Sequence, residues 1–122
     1  MLDHIGLVVE DFDKSVAFYE AALAPLGVAV VLRNSGEVGL GRDGKPQFWL
    51  YRGRAPSGRM HFAFAARSEA EVRAFHAAAL AAGARDNGAP GLRAHYDPNY
   101  YSAFAIDPDG HNIEAVCHSP EA

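Results

Sequence analysis

Three residues have the types and the setting to hold a metal ion: His4, His61 and Glu114. Each is polar at the start or in the middle of a stretch that otherwise reads as a buried strand. Glu114 sits in Ile113-Glu114-Ala115-Val116-Cys117, where a carboxylate without a partner is costly to bury. Two imidazoles and one carboxylate make the facial set that leaves coordination positions open on a divalent ion, as in non-haem iron sites. The same donors suit a catalytic zinc, manganese or nickel.

An internal repeat ties the two histidines together. Phe18-Tyr19-Glu20-Ala21-Ala22-Leu23-Ala24 returns as Phe75-His76-Ala77-Ala78-Ala79-Leu80-Ala81, with five of seven positions identical at an offset of 57. The same offset carries His4 onto His61 and Asp11 onto Ser68. A fold unit that repeats with a histidine at one fixed point sets two imidazoles in a two-fold arrangement, which is a way to build a metal site between modules.

The elements that must hold these residues follow from periodicity. In the first half, Ile5, Leu7 and Val9 alternate as a strand does. Asp11 or Asp13 caps a helix whose buried stripe is Phe12, Val16, Tyr19, Leu23 and Leu26, ended by Pro25 and Gly27. Val28 to Leu32, Glu37 to Gly41 and Gln47 to Arg52 read as strands, the last two joined by a turn in which Asp43-Gly44 is a hairpin signal. Arg54 to Gly58 reads as a linker. In the second half, Met60 to Ala66 is a strand with His61, Ala63 and Ala65 on one face. Ser68-Glu69-Ala70-Glu71 fits a capping box, and Val72, Phe75, Ala79 and Leu80 face inward on the helix it opens. A short strand within 84–89, a long loop from Pro90 to Pro98, and strands from Tyr100 to Asp107 and from Asn112 to Cys117 complete it. Each half is therefore βαβββ.

The expected fold is α+β: two βαβββ modules, 1–56 and 57–122, in one domain spanning 1–122, their strands forming a cup-shaped mixed sheet with flanking helices. A half of about 60 residues alone would be marginal, so the halves must pack together or pair across a dimer. The net charge of −4 with scattered arginines argues against a nucleic-acid partner. A single cysteine, Cys117, forms no internal disulfide, and the start of the chain has no signal-peptide pattern. No apolar run is long enough to span a bilayer. The expected setting is cytoplasmic, without membrane partners.

The chain resembles the vicinal oxygen chelate superfamily, also called the glyoxalase, bleomycin-resistance and extradiol dioxygenase superfamily. The matching text is Asp3-His4-Ile5-Gly6-Leu7-Val8-Val9 with Asp11, Ser15 and Phe18-Tyr19, then Met60-His61-Phe62-Ala63-Phe64, then Asp107-Pro108-Asp109-Gly110-His111-Asn112-Ile113-Glu114. It covers nearly the whole chain. The resemblance implies paired βαβββ modules curled around a divalent metal, with His4, His61 and Glu114 as ligands. It also implies chemistry in which two neighbouring oxygens of a small substrate bind the metal. Glyoxalase I enzymes of this superfamily carry a further Glu on the last strand of the first module. Trp49 stands at that position here, which speaks against glyoxalase I activity and leaves lyase, isomerase, transferase and dioxygenase chemistry open.

The loop from Gly91 to Tyr101 holds His95, three tyrosines and Arg93. His95 is the candidate proton shuttle, and Tyr100 or Tyr101 the candidate donor to a substrate oxygen. Trp49, Gln47, Tyr51 and Phe62 are candidate walls of a substrate pocket. A metal-free protein that sequesters a small molecule, of the bleomycin-resistance kind, is the alternative function. A homodimer is expected. If modules are exchanged, His4 comes from one chain and His61 with Glu114 from the other.

Overall fold

The computed structural model describes residues 1–54 and 58–119. The chain runs β1 (Ile5–Val9), α1 (Phe12–Leu23), a 3₁₀ turn (Ala24–Leu26), β2 (Ala29–Arg33), β3 (Glu37–Gly41), β4 (Phe48–Arg52), β5 (His61–Ala65), α2 (Glu69–Ala81), β6 (Arg85–Leu92), β7 (Tyr101–Ile106) and β8 (Asn112–Cys117). The α+β fold of two βαβββ modules expected from the sequence is present. The central part of the expected linker, 55–57, lies outside the described residues.

Each module forms a four-stranded mixed sheet, in the orders β1-β4-β3-β2 and β5-β8-β7-β6. The first and last strands of each module pair in parallel, and the hairpins are antiparallel. The two registers correspond. Gly6 faces Trp49 across β1 and β4, and Ala63 faces Glu114 across β5 and β8. Since Ala63 is Gly6 shifted by the repeat, Trp49 holds in the first module the place that Glu114 holds in the second.

Local chemistry explains most boundaries. Asp11 caps α1 by accepting from the Lys14 amide at 3.3 Å. The whole expected stripe of α1 is buried. Asp43 and Gly44 both have positive φ, 54° and 72°, as a tight hairpin turn of this twist requires. At α2, Ser68 Oγ accepts from the Glu71 amide at 3.1 Å, but the Glu71 carboxylate reaches past Ser68 to the Arg67 amide at 2.8 Å. The capping box is thus half formed, because Glu71 also takes the Arg67 guanidinium at 2.9 Å. Leu80 is only partly buried, and His76 takes the inward place beside Phe75.

The second-half loop is shorter than the sequence suggests. β6 continues through Pro90 to Leu92, with register shifts between Asp86 and Gly88 and between Gly88 and Gly91. A proline is tolerated there because β6 is an edge strand.

The modules pack through their helices and inward sheet faces. α1 lies against α2. Phe48 meets Phe62 and Phe64 at 5.6 and 5.3 Å between ring centres. The Asp107-Pro108-Asp109-Gly110 turn is the main polar fastening. Asp107 Oδ1 accepts from the amides of Asp109 and His111, at 2.9 and 2.8 Å, while Oδ2 accepts from the buried Tyr19 hydroxyl of α1. Ser15 of α1 donates to Asp109 at 2.9 Å. The specific-looking turn motif therefore joins module to module.

Candidate metal centre

His61 begins β5 and Glu114 lies one strand away in the middle of β8. The sheet puts both side chains on the face turned away from α2. His61 Nε2 is 3.2 Å from Glu114 Oε1. Glu114 is almost fully buried, at 1% exposure, whereas His61 is exposed. His61 Nδ1 donates to the carbonyl oxygen of Asn112 at 3.0 Å. That bond fixes the ring and directs Nε2 at the carboxylate. An imidazole held by a backbone carbonyl, with its other nitrogen aimed at a carboxylate, has the outer-shell arrangement typical of metal-ligating histidine.

Tyr100 completes this half-site. Its hydroxyl donates to Glu114 Oε2. Burial and the Glu114 carboxylate push the Tyr100 phenol up to about 12, so it is a donor at any physiological pH. His61, Tyr96, Tyr100, Phe104 and Glu114 line a recess of about 400 Å³. Two predicted donors and one predicted loop tyrosine thus come together.

The other predicted residues lie elsewhere. His4 precedes β1 and opens on a separate recess of about 470 Å³ with Asp3, Lys45, Trp49 and Tyr51. Its Nδ1 is 2.8 Å from Asp3 Oδ1, and Asp3 also meets Lys45 Nζ at 3.3 Å. The His4 and Lys45 partners hold the Asp3 carboxyl below the usual carboxylate range. Asp3 was not singled out by sequence, although a carboxylate directly beside a candidate ligand was the available signal. Tyr101 points toward α2, where its hydroxyl accepts from Arg73 at 3.3 Å. His95 is exposed and packs on Tyr96, 4.2 Å between ring centres. Gln47 and Phe62 line a different cavity of about 280 Å³, between the modules.

Within one chain, then, the donors form a pair and a single. Among the described residues no three His, Cys, Asp or Glu side chains converge on one point. His61 and Glu114 could offer two donors to a divalent ion, while His4, paired with Asp3, stands apart from them.

A family model described as the Glyoxalase/Bleomycin resistance protein/Dioxygenase superfamily matches residues 1–115. A crystal structure of a glyoxalase/bleomycin resistance protein from Albidiferax ferrireducens T118 is similar at 30% identity and a TM-score of 0.79, covering 93% of this chain and 95% of that one. A glyoxalase-related enzyme from Fulvimarina pelagi shares the fold at 24% identity and a TM-score of 0.72, over 96% of this chain and 87% of that one. Lactoylglutathione lyase from Agrobacterium tumefaciens shares it at 24% identity and a TM-score of 0.67, over 93% and 90%. No functionally curated protein matches the sequence.

Proposed function

The chain belongs to the glyoxalase, bleomycin resistance protein and dioxygenase superfamily, and from that premise we propose that it is a divalent-metal-dependent enzyme acting on a small oxygenated molecule. Its site is shared between two copies of the chain. The observation that carries this reading is the His61–Glu114 pair, with Nε2 3.2 Å from a buried carboxylate and Nδ1 tied to a backbone carbonyl. A purely structural carboxylate would not need an exposed imidazole aimed at it.

Edge geometry supports the sharing. β1 and β5 are unpaired edges of their sheets. β5 is apolar apart from His61 and presents the small residues Ala63 and Ala65 to solvent. An open apolar edge invites pairing with another chain. β1 of one copy laid beside β5 of a second would carry His4 toward His61 and Glu114, and the two-fold operation would build the site twice.

A bound divalent ion would supply Lewis acidity to two neighbouring oxygens of the substrate. The chain's own residues do the rest. Asn112 and Asp3 orient the two imidazoles, and Tyr100 holds the Glu114 carboxylate through Oε2, leaving Oε1 facing His61 Nε2. Tyr96 and Phe104 line the apolar side of the recess. The missing carboxylate at Trp49 leaves a three-donor set, which removes the extra base that glyoxalase I chemistry uses and favours a lyase, isomerase or dioxygenase of another kind.

Metal analysis of purified protein beside Glu114→Ala tests the reading. About one ion per chain in the wild type, lost in the variant, is the expected result. No uptake of iron, manganese, nickel or zinc on reconstitution would overturn it in favour of metal-free sequestration of a small molecule. That second reading is favoured by the lack of three convergent donors among the described residues of one chain.

A further inference from the structure

At one matched place the second module carries a longer connection than the first, and that connection begins with a cation. β2 and β3 are joined by residues 34–36, whereas β6 and β7 are joined by 93–100. Just before the longer connection β6 bulges. From Gly88 to Gly91 it advances three residues while its partner β7 advances two, from Phe104 to Ser102. A bulge bends a strand and re-aims the side chains around it. Beyond this one, Arg93 lies back over the sheet. Its guanidinium carbon stands 5.0 Å from the centre of the Phe104 ring, and Nη2 donates to the Ala89 carbonyl oxygen at 2.9 Å. Gly88 makes the room, since a Cβ there would stand 3.0 Å from both Arg93 Nη2 and Phe104 Cδ2.

Phe104 is the wall that Arg93 shares with the candidate metal centre. It lines the recess with His61, Tyr100 and Glu114, and its ring centre is 6.1 Å from that of His61. Arg93 therefore stands at the rim of that recess. Stacking on a ring uses the flat face of a guanidinium and leaves its edge of N–H donors open to a planar, two-oxygen partner. Among the described residues Nη2 alone of those donors has a hydrogen-bond partner, and Arg93 forms no ion pair. The carboxylates around it are engaged elsewhere: Asp86 with His76 and the Gly88 amide, Asp97 with the Asn99 amide, and Glu114 with Tyr100 and His61. A divalent ion on Glu114 would leave the recess net positive, and Arg93 adds to that charge, so the two together favour an anion. We propose that Arg93 binds a carboxylate of the substrate, and that the enzyme takes small molecules carrying this carboxylate in addition to the two neighbouring oxygens. This deepens the proposed function and rests on its placing the substrate in the His61–Glu114 recess.

The test uses two probes, 5-hydroxy-4-oxopentanoate and its neutral amide. They share a hydroxyl beside a ketone and differ in charge. Calorimetry measures the binding of each to metal-loaded wild type and to metal-loaded Arg93→Gln. Wild type should prefer the carboxylate. Arg93→Gln should bind it about ten-fold more weakly, the low end of the range for hydrogen bonds to charged groups. The variant should bind the amide as wild type does and hold the same amount of metal, which shows that the recess is intact. The ion attracts the carboxylate in both proteins, so the difference between them reports Arg93 alone. A carboxylate affinity unchanged in Arg93→Gln, an equal loss for both probes, or no binding of either probe to loaded wild type would overturn the inference. If wild type takes up no metal, the proposed function falls, and the same comparison on the metal-free proteins decides the inference separately.

Discussion

The two modules start from one plan and diverge at two matched positions. The first is on the helices. Tyr19 of α1 and His76 of α2 correspond in the repeat, and both are buried polar side chains. Tyr19 donates across the module boundary to Asp107, while His76 stays within its own module, 2.9 Å from Asp86 Oδ1. The second is on the sheets, where Trp49 and Glu114 hold the same register position. The same scaffold thus builds a fastening and an aromatic surface in the first module, and a carboxylate donor in the second. The repeat conserves where a side chain goes, and the residue type decides what it does there.

The contrast breaks most completely at Glu114. Glu114→Ala should abolish metal uptake, whereas His95→Ala should keep it, since His95 lies outside the recess; elemental analysis of the two variants decides. The next largest effect is at the helix pair. Tyr19→Phe leaves Asp107 Oδ2 without its buried donor and should cost about 1.5–3 kcal/mol in urea unfolding, the range for hydrogen bonds to charged groups. His76→Phe, by contrast, leaves only the exposed Asp86 partner to water and should cost clearly less. A Tyr19→Phe variant as stable as wild type would refute the fastening role of the turn.

Tyr100→Phe should weaken metal binding by about 10- to 100-fold while leaving its stoichiometry intact, the usual scale for an outer-shell partner. Its pH dependence has a defined sign. The folded phenol is raised from 10.0 to about 12, so the stability it adds is fully present below pH 10 and is lost as pH rises toward 12. Spectrophotometric titration should show one fewer late-ionising tyrosine in the variant. The smallest effect belongs to Asp3→Asn. Asp3 is exposed, so the unfolding midpoint should not move, but metal should bind more weakly because His4 loses the carboxylate that orients it. A variant that binds metal as wild type does would remove Asp3 from the site.

The fold was legible because the signals were periodic. The α1 stripe, the Asp43-Gly44 turn and the alternation in β5 each followed from local chemistry that the packing agrees with. The repeat made His4 and His61 comparable, and the buried setting of Glu114 marked it. Other features depend on tertiary contacts that no local pattern encodes. The length of β6 through Pro90 depends on its being an edge strand. The Glu71 carboxylate goes to Arg67 because a guanidinium stands there too. Of two adjacent tyrosines, strand parity alone decides that Tyr100 meets Glu114 while Tyr101 turns to Arg73. Gln47 and Phe62 were expected beside Trp49 as pocket walls, but both line the separate cavity between the modules. Trp49 and Tyr51 were candidates from the sequence, but Gly6 and Gly39, whose missing side chains make room for the two rings, acquire meaning only once the strands are in register.

If a second copy of the chain completes the site, two variants that are each defective should complement one another. His4→Ala and Glu114→Ala are purified separately, shown to take up little metal, then mixed, unfolded and refolded together. In a shared site each mixed dimer holds one defective centre and one intact centre, so random pairing should restore metal to about a quarter of the wild-type level. Uptake that stays at the level of the separate variants, with wild-type protein recovering full uptake under the same treatment, would contradict a site built from two chains.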